Sequence, residues 1–248
     1  MKSKIIAAAA LAALALAGCG KESGQAASGA APSGSAQAAA PQAPAPSAPA
    51  ASALVGSTQG SVDGVSYAKV NEPGVSVLAG KVLVREYFWY GCPHCYTGEP
   101  AVSAWVANDP NVEFEFIPVA FNAQWEVGAR LHHALKLQHL TQAERDKVFH
   151  AIHAERIRPD DKARLIEWAG KNGWDAAKLE ADWKSFPVDS ALARDKAAAQ
   201  ALGLEGVPMF TVNGKYLIGV QSGPDADKTL PDSVRKVAEA VRAGKLEK

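Results

Sequence analysis

The chain has 248 residues, 26 basic and 26 acidic side chains, 48% hydrophobic residues and three cysteines. Its length fits one or two domains, and the charge balance argues against nucleic acid as the main partner. No apolar run reaches the roughly 20 residues of a membrane-spanning helix, and three cysteines are too few for a disulfide-stapled scaffold.

Lys2 and Lys4 precede an apolar run over residues 5–18, the layout of an export signal rather than of a folded element. The run ends Leu16-Ala17-Gly18-Cys19, which resembles a bacterial lipobox and predicts Cys19 as a lipidated mature N-terminus. Several acyl chains give stable anchoring where one is marginal. Loss of Lys2 and Lys4 leaves a net charge of −2, which offers no electrostatic attraction to anionic lipid or nucleic acid. Residues 23–62 carry no charge and are dominated by Ala, Pro, Ser, Gly and Gln, with Pro41, Pro44, Pro46 and Pro49 clustered. Such a segment predicts a disordered tether, over residues 19–62, that spans roughly 35 Å as a coil. Gly20 rather than an aspartate after the anchor favours the outer membrane, by analogy with enteric sorting rules.

Residues 63–248 read as one mixed α/β unit. Residues 82–89, rich in β-branched and aromatic side chains, predict a buried strand, and a helix follows from Cys92 to about 107 with Pro93 in its first turn. Residues 112–119 predict a second strand. The middle shows helical spacing at Leu131-Ala134-Leu135, Val148-Ile152 and Leu165-Trp168-Ala169, with Asp160, Asp161 and Asp175 as candidate caps. Gly173 and Gly203 suit helix C-termini. Residues 209–212, Asn213-Gly214 and residues 215–218 form a hairpin signal, and Val234, Val237 and Val241 put an apolar face on a final helix. The order β-β-α-β, a helical block over about 122–188, then β-β-α predicts an interrupted α/β sheet.

Cys92-Pro93-His94-Cys95 carries the chemistry, and three readings of it stand. As a structural staple, so short a ring contributes only about 2 kcal/mol. As half of a zinc site, it needs partners from His132, His133, His139, His150 and His153, which lie in helical segments among charged residues and are expected on solvated faces. As a redox dithiol, it uses the helix N-terminus to favour a thiolate at Cys92, with His94 adding a donor or a positive charge. A stabilised thiolate stabilises the reduced protein and makes the disulfide a stronger oxidant. Cys95, a turn deeper, is expected to be less exposed and to resolve mixed disulfides.

Tyr87-Phe88-Trp89-Tyr90-Gly91-Cys92-Pro93-His94-Cys95-Tyr96, with Gly206-Val207-Pro208-Met209-Phe210 and Val212-Asn213-Gly214-Lys215-Tyr216 far downstream, resembles the DsbA family of bacterial thiol:disulfide oxidoreductases over the folded region. The resemblance implies a thioredoxin fold with an inserted all-helical domain, and a helix kinked at Pro100. It implies a cis Val207-Pro208 peptide facing the dithiol, where the Val207 backbone can pair with an extended substrate. It also makes Glu86 a buried carboxylate that relays the Cys95 proton. The family's partner lysine on the next strand is not evident; Glu113 and Glu115 stand there instead.

The expected activity is oxidation of reduced, unfolded exported proteins on the periplasmic side of a bacterial membrane, by a monomer with no metal or organic cofactor beyond its Cys92–Cys95 disulfide. The resemblance implies reoxidation by a DsbB-like quinone-linked membrane protein. A reductase or isomerase using the same dithiol is the near alternative. A lipid-anchored metal-binding module using Cys92, His94 and Cys95, and a chaperone-like binder with an incidental dithiol, are the alternatives from other classes.

Overall fold

The computed structural model describes residues 58–221 and 225–246. The expected signal segment, the anchor Cys19 and the tether through residue 57 lie outside the described residues. Residues 58–62, expected to close the disordered tether, instead form strand β1 (Thr58–Val62), paired with β2 (Val65–Lys69). The strand sequence Thr-Gln-Gly-Ser-Val has no apolar alternation, so its composition reads as a continuation of the tether.

Strand β3 (Val82–Phe88) runs into α1 (Pro93–Asn108), and β4 (Val112–Pro118) returns parallel to β3. Five helices follow: α2 (Ala123–Lys136), α3 (Gln142–His153), α4 (Lys162–Lys171), α5 (Ala176–Asp182) and α6 (Phe186–Ala201). The helical stretch thus passes the expected limit of 188, because α6 continues unbroken to Ala201. Strands β5 (Met209–Val212) and β6 (Tyr216–Ile218) and helix α7 (Ala226–Arg242) complete the unit. Three strands precede α1, one more than expected.

The sheet order is β1-β2-β6-β5-β3-β4, with only β3 and β4 parallel. Between β5 and β6, Asn213 and Gly214 have φ of 51° and 64°, the paired left-handed geometry that an Asn-Gly turn favours. Asn213 Oδ1 also accepts from the Leu83 N–H at 2.9 Å, which fastens the turn to the start of β3.

Alternation along β3 sends Val82, Val84 and Glu86 to one face and Arg85 and Tyr87 to the other. Val82 and Val84 pack with Val102 of α1 and with Leu230, Val234 and Val237 of α7. On the second face Glu72 is buried and accepts hydrogen bonds from Tyr87, Thr211 and Arg85 at 2.5, 2.5 and 2.8 Å. A second apolar cluster joins Phe88 and Tyr90 to the helical block through Leu131, Phe149, Leu165 and Leu192.

The helix starts follow local rules. Asn122, Asp161 and Asp175 cap α2, α4 and α5 through their side chains, and Thr141 with Glu144 closes a capping box on α3. Asp160 does not cap; it pairs with Arg158 at 2.8 Å. The histidines depart further from expectation. His132 and His133 are buried and His153 is half-buried, while His139 and His150 are exposed. His132 and His133 adjoin the Leu131, Ala134 and Leu135 stripe, so the helix carries them into the core with its apolar face.

Candidate active site

Cys92 is the N-cap of α1, extended at φ −82° and ψ 117°, with Pro93 supplying a first-turn residue whose missing N–H leaves no bond unmade. The Cys95 N–H donates to Cys92 Sγ at 3.4 Å, and the Cys92 thiol lies 3.5 Å from the Val207 carbonyl oxygen. The Val207-Pro208 peptide is cis. The two cysteines are unbridged, and their exposures are nearly equal, 3% for Cys92 and 2% for Cys95. The expected contrast in exposure is therefore small, and the electrostatic contrast between them is large.

The Cys95 thiol's hydrogen bond holds the Cys92 thiol below its ordinary range, against burial; the backbone N–H groups of Cys95 and His94 and the His94 charge act in the same direction. Burial pushes Cys95 well above that range, and the neighbouring Cys92 and Glu86 reinforce it. One sulfur is prepared to be a thiolate and the other to keep its proton.

Glu86 is buried on the α1-facing side of β3, with Phe116 of β4 and Phe210 of β5 opposite it across the sheet. Burial among these rings raises its carboxyl well above the usual range, and Glu99 reinforces the shift. No lysine faces it from β4. The nearby cation is Arg145 of α3, whose side chain is 2% exposed and whose guanidinium lies 3.3 Å from the Phe116 ring centre and pairs with Glu99 of α1. Sequence reading missed both Glu99 and Arg145. Their signals were present: Glu99 falls four residues after Cys95, and Arg145 sits in the stripe Arg145, Val148, Phe149, Ile152, an arginine at a core position.

The segment entering the dithiol is held by aromatic contacts. Trp89 stacks on Trp125 at 4.3 Å and 4°, and the half-exposed Phe121 packs on Trp125 at 5.1 Å with its ring tilted by 40°. Tyr90 Oη and His132 Nδ1 share a hydrogen bond at 3.0 Å, and burial keeps that imidazole well below its usual range. His153 Nε2 donates to the Tyr90 carbonyl at 2.8 Å while its ring stacks on Tyr96 at 4.6 Å. Gly91 is required here, since a Cβ would overlap the Trp89 indole.

Among the described residues no group of three or more His, Cys, Asp or Glu side chains could hold a metal ion, and no helix is long and apolar enough to cross a membrane.

The profile of the DSBA-like thioredoxin domain matches residues 124–230. The thiol:disulfide interchange protein DsbA of Bordetella parapertussis is 38% identical over 152 residues, which are 61% of this chain and 72% of that protein. The Pseudomonas aeruginosa protein of the same name is 32% identical over 172 residues, covering 68% and 82%. A crystal structure of Pseudomonas aeruginosa DsbA superposes with a TM-score of 0.64 at 28% identity, covering 73% of this chain and 93% of that one. With these relatives and a C-x-x-C pair at the start of α1, the chain belongs to the DsbA family of thiol:disulfide oxidoreductases.

Proposed function

We propose that this oxidoreductase works as an oxidase, donating a Cys92–Cys95 disulfide to reduced exported proteins in the periplasm. The observation that carries the reading is the opposed tuning of the two sulfurs across a single hydrogen-bonded turn. A substrate thiolate attacks the Cys92 sulfur, Cys95 leaves as a thiolate and takes up a proton, and a second substrate thiolate then displaces Cys92. The products are a substrate disulfide and the reduced pair. Because Cys92 leaves as a stabilised thiolate, the second displacement is favoured.

His94 supports the leaving thiolate, and Pro93 sets the helix start that holds both. Glu86 exchanges the Cys95 proton, with Arg145 in the place of the expected strand lysine. The Val207-Pro208 backbone lies beside Cys92 and offers an extended substrate chain main-chain pairing, which gives affinity without sequence selectivity. Reoxidation falls to a DsbB-like quinone-linked membrane protein. The lipobox-like run supports anchoring through Cys19 on the periplasmic side, with the outer membrane favoured, and the domain acts as a monomer without metal.

The test is the equilibrium reduction potential together with Cys95→Ala trapping. A potential near the family's reference oxidant, about −120 mV, is expected; one near thioredoxin's roughly −270 mV assigns a reductase instead. Cys95→Ala protein accumulates mixed disulfides through Cys92, and absence of these overturns the attack order.

A further inference from the structure

Cys95 needs a proton whenever the disulfide is opened and must lose one whenever it is closed, yet it is buried on every side. Helix α1 places Cys95, Glu99 and Ser103 at four-residue intervals, one above the other on a single face. Helix α3 answers with Gln142, Arg145 and Asp146. Glu99 Oε1 accepts from Ser103 Oγ at 2.8 Å, from Gln142 Nε2 at 2.5 Å and from Arg145. Ser103 Oγ lies 3.5 Å from Asp146 Oδ2, and Gln142 Nε2 lies 3.2 Å from Asp146 Oδ1. At the inner end, Glu86 Oε2 and Glu99 Oε2 are both buried and take no hydrogen bond from the protein. At the outer end, the Asp146 side chain is 40% exposed and, with Glu99, lines a cleft of about 370 Å³ between α1 and α3.

We propose that Ser103 and Asp146 form the solvent-side end of the proton path serving Cys95, entered from the α1–α3 cleft. This deepens the dithiol reading and rests on it. When the reduced pair is reoxidised, the Cys92 thiolate attacks an external disulfide and releases one thiolate. Cys95 then gives its proton to the buried carboxylates, attacks the Cys92 sulfur and releases the second thiolate. The proton moves from Glu99 to Ser103 Oγ as the hydroxyl proton passes to Asp146, and leaves to solvent. Opening of the disulfide by a substrate runs the same path inward. Gln142 donates to both carboxylates and fixes their separation, while Arg145 holds Glu99 in place. Asp146 is a positioning residue for this transfer, acting through Glu99 rather than touching sulfur.

The titratable and charged groups around Asp146 are Glu99 on α1, Glu86 on β3, and Arg145, Lys147 and His150 of its own helix. Burial, then Glu99, raises the Asp146 carboxyl to about 6, so it exchanges protons near neutrality.

Reoxidation of the reduced full chain by glutathione disulfide tests the path. Acid quenching and mass measurement separate the concentration-dependent attack of Cys92 from the concentration-independent closure by Cys95. In Asp146→Asn and in Ser103→Ala, closure slows relative to attack by about fivefold or more, and the inflection near pH 6 disappears in Asp146→Asn. Asp146→Glu restores it, and added formate speeds closure in Asp146→Asn, which a merely structural defect does not allow. Closure within twofold of the parent in both Asp146→Asn and Ser103→Ala overturns the proposal. If Glu86→Gln slows closure while those two do not, only the exit is wrong. If none of the three slows it, the buried-carboxylate role fails with the exit, while Cys95→Ala trapping still judges the dithiol separately.

Discussion

The Glu99–Arg145 pair is buried between α1, which carries the dithiol, and α3 of the helical block, and its two halves do not tolerate removal equally. Arg145 has Glu99 as its close partner, its Nε and Nη1 are buried without hydrogen bonds, and a guanidinium cannot shed its charge. Glu99→Leu therefore strands a buried cation, at a cost of about 3–5 kcal/mol. Arg145→Met leaves Glu99 with donors from Ser103 and Gln142, so its cost is about 1–2 kcal/mol. The double variant removes both charges and falls within about 2 kcal/mol of the parent, as for other apolar replacements of buried pairs. Asp146, 4.0 Å from Arg145, is the only other carboxylate paired with it among the described residues. Glu99 is among the groups that raise the Asp146 carboxyl to about 6, so the parent binds a proton there that Glu99→Leu binds only at lower pH, and the Glu99→Leu cost grows as pH falls below 6. Urea unfolding of the reduced proteins, followed by far-ultraviolet circular dichroism at pH 7.5 and 5, measures all three. The reasoning is refuted if Arg145→Met is the costlier single change, or if the two single costs simply add in the double variant.

His94→Ala removes one of the groups that favour the Cys92 thiolate, so the thiolate absorbance at 240 nm titrates at higher pH; each unit of rise corresponds to about 1.4 kcal/mol and makes the disulfide a weaker oxidant. An unchanged titration removes His94 from the tuning. Glu86 has a folded-state pKa raised above its unfolded value, so its contribution is fully present below about pH 4.5 and is lost as pH rises through the folded value. Oxidised Glu86→Gln protein, in which neither thiol titrates, accordingly gains stability relative to the parent as pH rises from 4.5; parallel stability curves contradict this. Gly91→Ala drives a methyl group into the Trp89 indole, costs about 1–3 kcal/mol and shifts the fluorescence of the Trp89–Trp125 stack. Unaltered emission and stability would show that the loop has room to move.

Local chemistry made the reacting groups legible. Cys92 at a helix start with Pro93 behind it, the apolar strand leading in, and the Asn213-Gly214 turn each depend on a few neighbouring residues, and sequence displays those directly. The burial of Glu86 was legible only through the family resemblance, since an acidic residue in that apolar run could equally point outward. Its cation was not, because the expected position lies on β4 while Arg145 arrives from α3, nearly sixty residues after Glu86, through a contact made only when the helices pack. His132 and His133 were misread for a related reason: among Lys136 and Arg130 they looked solvated, but the helix faces the core through their side of it. Strand β1 escaped notice because it is stabilised by pairing with β2 rather than by any apolar pattern of its own.

Among the described residues the sheet ends on two outer strands, β1 and β4. A protein that handles unfolded chains meets many extended segments able to add themselves to such a border. Here β1 is only five residues long and contains Gly60 and Ser61, while β4 carries Glu113 and Glu115 and closes at Pro118, which has no N–H to offer. Glu115, whose cross-strand partner Arg85 keeps it in place, thus has a second consequence beyond its ion pair. Both borders thus discourage lasting strand addition by an extended chain, which would compete with the pairing proposed for the Val207 backbone beside Cys92.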